Sequence, residues 1–186
     1  MVSESELVRR CKEGNPRYQE LLYHQYAPML MGICLRYARN TEDAEDILHD
    51  SFVKIFVNMD KFNEELPLIN WIRRIAINTA INAYYEKKKT YNTVEISEVE
   101  DSLNDVRITN ADFLSEKLLL QLISELPDGY RTVFNLYEID GYPQSEIAEM
   151  LGCSNSTVRT QLFKAKKVLK EKIELMKEES LMTYKR

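Results

Sequence analysis

The stretch that decides the fold lies near the carboxyl end and reads LGCSNSTVRTQLFKAKKVLK, residues 151–170. The segment before it, YPQSEIAEML, has helical spacing and ends at Gly152, where a glycine permits a left-handed turn. Ser154 then stands where a serine caps the next helix. Ala148 is small where the two helices would cross, and Val158 and Leu162 fall at core positions. These features predict a helix-turn-helix.

The second helix of this motif is predicted to contact duplex DNA. A helix in the major groove needs short hydrogen-bonding side chains at its tip, an arginine for guanine or phosphate, and lysines on its flank. The predicted contact residues are Ser156, Thr157, Arg159, Thr160, Phe163, Lys164 and Lys167. Lys166 is expected to add flank charge. Because lysine lacks the bidentate geometry that reads guanine, Arg159 is the best candidate for a base contact.

The composition favours a mostly helical protein. Apolar residues make up 44% of the chain, and five glycines and five prolines leave most of it free to be helical. Cys11, Cys34 and Cys153 lie far apart without a CxxC motif, and the chain has two histidines. This pattern predicts reduced, buried thiols and indicates neither a zinc site nor a disulfide framework. No cofactor is predicted.

Two classes of protein are disfavoured. The amino terminus lacks the apolar core of a signal peptide, and no apolar run approaches the ~18 residues needed to cross a bilayer. A cytoplasmic protein without membrane insertion is therefore expected. An enzyme is disfavoured because the sequence shows no Ser/His, His/carboxylate or phosphate-loop pattern, and His24 and His49 are interpreted as structural or surface residues.

Positive charge is concentrated in two segments of an otherwise acidic chain, whose net charge is -5. Residues 71–89 carry five basic and one acidic side chain, and residues 154–186 carry nine basic and four acidic ones. Residues 90–112 carry one basic and six acidic side chains. The two basic segments suit two separate contacts with one polyanion, and solvated helix faces are the alternative.

Asn40 is predicted to cap an amphipathic helix with two distinct faces, formed by the segment TEDAEDILHDSFVKIFVNM. Its predicted core stripe comprises Ala44, Ile47, Leu48, Ser51, Phe52, Ile55 and Met59. The opposite stripe joins acidic and aliphatic residues, namely Asp46, His49, Asp50, Val53 and Val57. This mixture suits a protein partner that carries basic residues, and an ordinary mixed surface is the alternative.

The next helix, INWIRRIAINTAINAYYEKKK, offers groups that suit unstacked bases. Its predicted buried stripe is Ile72, Ile75, Ala76, Thr79, Ala80 and Ala83. Another face carries a guanidinium, two amides and aromatic rings, with lysines beyond them for phosphates: Trp71, Arg74, Asn78, Asn82, Tyr85, Lys87 and Lys88. Stacking on aromatic planes and hydrogen bonds to exposed base edges are the usual means of holding single-stranded bases. A polar face with partly packed aromatics is the alternative.

The acidic segment 90–112 breaks both the helical and the strand period and is interpreted as a linker. The chain is therefore expected to be all-α, with two small helical domains at residues 1–89 and 113–186. The second domain should consist of four short helices punctuated by glycine.

The chain resembles an alternative bacterial sigma factor of the extracytoplasmic-function (ECF) group of the sigma-70 family. The resemblance covers nearly its whole length and is carried by three blocks in order: TEDAEDILHDSFVKIF (41–56), NWIRRIAINTAINAYYEKKK (70–89) and ISELPDGYRTVFNLYEIDGYPQSEIAEMLGCSNSTVRTQLFKAKKVLK (123–170). It implies a region 2 helical bundle and a region 4 helix-turn-helix, joined by a flexible linker that lies near the template strand in polymerase.

The resemblance also implies roles for the predicted surfaces. Residues Asp46, His49, Asp50, Val53 and Val57 would bind core RNA polymerase. The helix from Trp71 to Lys88, with the loop before it, would open the promoter at the -10 element and capture a flipped base, and the helix-turn-helix would read the -35 element. An anti-sigma factor is a further partner that the resemblance leaves open.

The sequence departs from relatives at one end of the -10 helix. Relatives often have an aspartate followed by an arginine-rich helix end, whereas this chain has Asn82, two tyrosines and then lysines. Two other classes stay open at this stage: a stand-alone helix-turn-helix regulator, and a helical adaptor that binds only proteins. The first predicts tight DNA binding by the isolated protein, and the second leaves Arg159 and Lys164 unexplained.

Overall fold

The computed structural model describes the backbone of residues 2–90 and 116–183, and the side chains of residues 2–86 and 118–176. Over these residues the protein is helical, with two compact units, Met1–Tyr91 and Asn92–Arg186. The predicted linker lies outside the described residues except for Thr90, the last residue of a helix.

The first unit contains four α-helices and one short 3-10 turn within its described residues. They are α1 (Glu4–Lys12), α2 (Pro16–Tyr37), α3 (Thr41–Val57), the 3-10 turn (Met59–Lys61) and α4 (Leu68–Thr90). Caps and a turn define the ends of α1 and the start of α2. Ser3 caps α1, Gly14 has a positive φ of 72°, and the Asn15 side chain accepts a hydrogen bond from the Arg17 N–H at the start of α2. Pro28 lies inside α2, which continues through it.

The core of the first unit forms where α2, α3 and α4 pack against one another, with α1 against α2. All seven predicted core residues of α3 and its end are buried. The two polar interruptions of this core are satisfied locally, because the Ser51 hydroxyl donates to the Ile47 carbonyl (2.6 Å) and the Thr79 hydroxyl donates to the Ile75 carbonyl (2.8 Å). Such bonds remove most of the cost of burying a hydroxyl.

One core prediction for this unit is wrong in part. Ile75 and Ala83, which were predicted to be buried on α4, are only half-buried. In their place, Ile77 and Ile81 are buried. Since α4 packs against both α2 and α3, its buried sector is wider than a single stripe and is shifted around the helix.

The second unit is built around its last helix. The described helices are α5 (Glu116–Ser124), α6 (Asp128–Phe134), α7 (Gln144–Met150) and α8 (Asn155–Thr183), with a π-helical turn at Asn135–Ile139 after α6. Helices α5, α6 and α7 each contact α8. The prediction of four short helices is wrong for α8, which runs for 29 residues, and Gly129 lies inside α6. Since no glycine or proline follows Gly152, nothing in the backbone stops α8.

A buried arginine ties the helices of the second unit together. Arg131 is 4% exposed and donates hydrogen bonds to the Ser124 carbonyl and to the Asp128 carboxylate, both at 2.9 Å. At the end of α5, Lys172 of α8 donates to Glu125, and this hydrogen bond lowers the pKa of the Glu125 carboxyl. These contacts fix α5 and α6 against the long helix.

The cysteine prediction holds for two of the three residues. Cys11 and Cys34 are buried, whereas Cys153 in the turn before α8 is half-buried. Burial disfavours the thiolate, and it raises the pKa of Cys11 to about 11 and that of Cys34 to about 12.

Thiol alkylation at pH 8 is therefore expected to modify Cys153 first. At that pH only about one in a thousand Cys11 side chains and about one in ten thousand Cys34 side chains would be thiolate, and the thiolate is the reacting form. Peptide mass spectrometry over time measures the order. In denaturant all three should react alike, because exposed thiols have a pKa near ~8.5. Equal rates in the folded protein would contradict this expectation.

Candidate nucleic-acid interface

The tip of α8 is organised by a single serine. The Ser154 Oγ accepts a hydrogen bond from the Thr157 N–H (3.1 Å) and lies 2.7 Å from the Ser156 Oγ and 2.8 Å from the Thr157 Oγ1. Gly152, with a φ of 56°, makes the left-handed turn that brings Ser154 to this position. The predicted cap is thus confirmed, and the tip presents a fixed set of hydroxyl groups.

The predicted duplex-contact residues lie on the side of α8 away from its core. Val158 and Leu162 are buried, as predicted from their spacing, and so are Ala165, Leu169 and Ile173 farther along. Three of the predicted contact residues are exposed, Ser156, Arg159 and Lys167. The other four are half-buried, Thr157, Thr160, Phe163 and Lys164. The helix therefore offers hydroxyls, a guanidinium and ammonium groups to a partner.

Lys166 differs from its neighbours on α8. Its Nζ lies 2.8 Å from Glu138 Oε1, which belongs to the π-helical turn, and 5.9 Å from the centre of the Tyr137 ring. The expectation that Lys166 adds flank charge is therefore modified, because a carboxylate of the same unit already neutralises it. The two residues are 28 positions apart, so sequence spacing gives no signal for the pair.

The predicted face of α4 is present as an exposed row. Arg74, Asn78 and Asn82 are all exposed at four-residue steps. Asn70, which the sequence reasoning missed, is exposed one step earlier and continues the row. Its signal was the same four-residue spacing. The row thus presents three amides and one guanidinium at four positions spaced four residues apart.

The aromatic residues at the ends of this row are partly engaged. The Trp71 ring packs 5.3 Å from the centre of the buried Phe62 ring, and Tyr85 lies 5.2 Å from Tyr84 in an edge-to-face arrangement. Trp71 and Tyr85 are half-buried, so each keeps part of its surface accessible. Their neighbours hold the rings in place. The side chains of Lys87 and Lys88 lie outside the described residues.

The loop before α4 is held in place by direct contacts with α1, which lies far from it in the sequence. Lys12 forms an ion pair with Glu64 at 2.7 Å, and the Leu68 N–H at the start of α4 donates to the Glu4 carboxylate at 3.4 Å. Inside the loop the Asn63 side chain accepts a hydrogen bond from the Glu65 N–H, and Leu66 is exposed beside it. The first helix thus sets the position of the segment that leads into the exposed row.

The acidic and aliphatic stripe of α3 faces solvent. Asp46, His49 and Asp50 are exposed, and Val53 and Val57 are 47% and 74% exposed. The Asn40 side chain accepts a hydrogen bond from the Asp43 N–H at 2.7 Å, which fixes the start of the helix. The stripe thus exposes two neighbouring valines beside acidic side chains.

The described residues contain neither a candidate metal site nor a candidate membrane span. No group of three or more His, Cys, Asp or Glu side chains among them could hold a metal ion. In the same part of the chain, no helix is long and apolar enough to cross a membrane.

Comparisons with known proteins match both units. The model of the family "Sigma-70 region 2" matches residues 22–90, which contain α3, and that of "Sigma-70, region 4" matches residues 116–169. The ECF RNA polymerase sigma-E factor of Haemophilus influenzae is 28% identical over 183 residues, covering 93% of this chain and 96% of that protein. The RNA polymerase sigma-H factor of Pseudomonas aeruginosa is 27% identical over 176 residues, covering 89% of this chain and 91% of that protein.

A solved structure shares the fold. It is a co-crystal structure of the sigma factor RpoE in complex with the anti-sigma factor NepR from Bartonella quintana. Its TM-score is 0.53 at 17% identity, and the match covers 83% of this chain and 96% of that one.

Proposed function

Because the chain belongs to the ECF group of sigma-70 factors, non-enzymatic subunits that direct RNA polymerase to promoters, we propose that it divides this task among three surfaces. The α3 stripe binds core polymerase, the α4 row holds unstacked bases of the -10 element, and the tip of α8 reads the -35 element as duplex. Residues 1–89 and 113–186 are the two working domains. The observation that carries the proposal is that the two DNA surfaces differ in chemistry and belong to different units.

The α4 row suits bases that have left the helix stack. Flipping a base out costs a few kcal/mol, so promoter opening needs a site that holds the extruded base. Amides such as Asn78 and Asn82 donate to and accept from the exposed base edges, and the accessible parts of Trp71 and Tyr85 supply stacking surface. The exposed Arg74 supplies a cation for phosphates, and Lys87 and Lys88 add positive charge to the sequence at this end of the domain.

The tip of α8 suits paired DNA. Its hydroxyls are short and fixed by Ser154, and Arg159 is exposed two residues beyond Thr157. Short side chains let the helix enter the major groove closely, and an arginine reads guanine in bidentate fashion. Lys164 and Lys167 lie on the flank for phosphate contacts.

A protein that holds this chain inactive is also part of the proposal. The Bartonella quintana relative was solved in complex with an anti-sigma factor. An anti-sigma factor for this chain would have to cover the α3 stripe or one of the two DNA surfaces.

The test of the proposal separates its two DNA surfaces. Full-length protein is bound to core polymerase and offered two probes from a promoter it transcribes: a fork with a single-stranded -10 element, and a -35 duplex. Replacing Asn78 and Asn82 by alanine should weaken fork binding by roughly tenfold or more, as expected for ~1–3 kcal/mol per lost base contact. Binding of the -35 duplex should stay unchanged.

The matched control for this pair is Gln25→Ala, which removes an exposed amide from α2 in the same unit. It should leave both probes unaffected. Equal losses on the two probes, or full fork binding by the double variant, would contradict the assignment of α4. Tight, specific duplex binding by the protein without core polymerase would instead favour a stand-alone regulator.

A further inference from the structure

The ion pair between Glu138 and Lys166 lies beside the proposed duplex-reading face of α8. It is partly screened from water, since the side chains are 34% and 20% exposed, and the Lys166 ammonium also lies over the Tyr137 ring. A pair of this kind is stronger than one between fully solvated side chains, because water and salt screen it less. The lysine is therefore engaged before any DNA arrives.

Helix geometry places Lys166 on the same side as Arg159. The two residues are seven positions apart, which is close to two turns of an α-helix. If Arg159 enters the groove, Lys166 lies on the neighbouring flank, at the level of the phosphates. Its sequence neighbour Lys167 is exposed, and among the described residues no carboxylate forms an ion pair with its ammonium. Of these two adjacent lysines, Lys166 is thus held in an ion pair, whereas the ammonium of Lys167 is open to a phosphate.

We propose that Glu138 competes with DNA phosphate for Lys166 and so limits the sequence-independent affinity of this helix. The inference rests on the proposed function, because it needs α8 to face duplex DNA. A lysine that stays paired with a carboxylate contacts no phosphate and releases no counterion from DNA, so it adds nothing to the salt dependence of binding. Phosphate contacts add the same binding free energy on every DNA sequence. Preventing one of them therefore leaves a larger share of the binding free energy to base contacts. Glu138 is thereby a specificity-determining residue that does not contact DNA.

The experiment measures the sequence-independent term directly. Full-length protein is titrated with a random-sequence 30-base-pair duplex at several salt concentrations, and the slope of log K against log salt is taken. In Glu138→Gln the slope should become steeper by up to about 0.9, the value for one additional phosphate contact, and binding at low salt should tighten several-fold. Glu138→Asp keeps the charge and should stay near the wild-type slope.

A double-mutant cycle distinguishes this from a general change of charge. Glu138→Gln combined with Lys166→Met removes the whole pair and should restore the wild-type slope, whereas Lys167→Met alone should make the slope shallower by up to about 0.9. Glu149→Gln, at an exposed carboxylate of α7, is the charge control, and any effect it has should be the same with and without Lys166.

Several outcomes would overturn the inference. One is an unchanged slope or weaker binding in Glu138→Gln, which would mean that the pair only holds the helix in place. Another is a steeper slope that persists after Lys166 is replaced. The proposed function fails separately: if Arg159→Ala leaves -35 binding intact, α8 does not read the duplex, whatever Glu138 does.

Discussion

Replacing both Val53 and Val57 by aspartate is expected to weaken the binding of core RNA polymerase severely. These valines lie in the middle and at the end of the solvent-facing stripe of α3, and Val57 is 74% exposed in the isolated chain. Buried in an interface, each new carboxylate would lose its hydration without gaining a partner. A cost of ~2 kcal/mol at each of the two positions would weaken binding by on the order of 1,000-fold.

The measurement is the affinity of labelled core polymerase for the full-length variant, together with promoter-specific transcription. Val53→Thr with Val57→Thr keeps the side-chain shape without adding charge and should have a much smaller effect. Leu175→Asp adds one carboxylate at an exposed leucine of the other unit and should leave core binding unchanged. Thermal unfolding of all variants should be nearly equal, because both valines face solvent. Normal polymerase binding by a folded aspartate variant would remove α3 from the interface.

Replacing Arg159 by alanine is expected to cost ~1–3 kcal/mol in -35 recognition, or roughly 5- to 150-fold in affinity. Arg159 is exposed on the first turns of α8, just past the hydroxyl cluster that Ser154 fixes. A base contact made by this side chain gives preference for one base pair, so its loss should also flatten that preference. Binding of single-substitution variants of the -35 duplex measures both effects.

Lys167→Ala is the matched control for this prediction. It removes an exposed cation from the same helix, and it should weaken all duplexes about equally while reducing the salt dependence. A uniform loss in Arg159→Ala, with no base pair relaxed, would show that Arg159 contacts phosphate instead.

The parts of the fold that follow from local pattern were predictable. The core stripe of α3 is correct at all seven positions, since an amphipathic helix with one buried face repeats at 3.6 residues. The caps at Asn40 and Ser154 follow from residue type and position. The exposed row of α4 follows from its four-residue steps, although the role of that row remains a prediction.

Features that depend on distant residues escaped the sequence reasoning. Arg131 is an arginine, a residue that is normally exposed, yet partners at the end of α5 and at the start of α6 allow it to be buried. The ion pairs of Lys12 with Glu64 and of Lys166 with Glu138 join residues 52 and 28 positions apart. The spacing of residues along the sequence gives no signal for ion pairs between such distant positions. The buried face of α4 was partly misplaced for the same reason, because its two packing partners are set by tertiary structure.

Helix α8 runs through the second unit as one unbroken, stiff element. Its 29 residues span about 43 Å at 1.5 Å per residue, and no proline or glycine interrupts them. The contact of Lys172 with Glu125 and the packing of α5, α6 and α7 hold this helix within the second unit. A partner that displaced the carboxyl-terminal end of α8 would therefore also move the hydroxyl cluster at its start, without contacting the promoter itself.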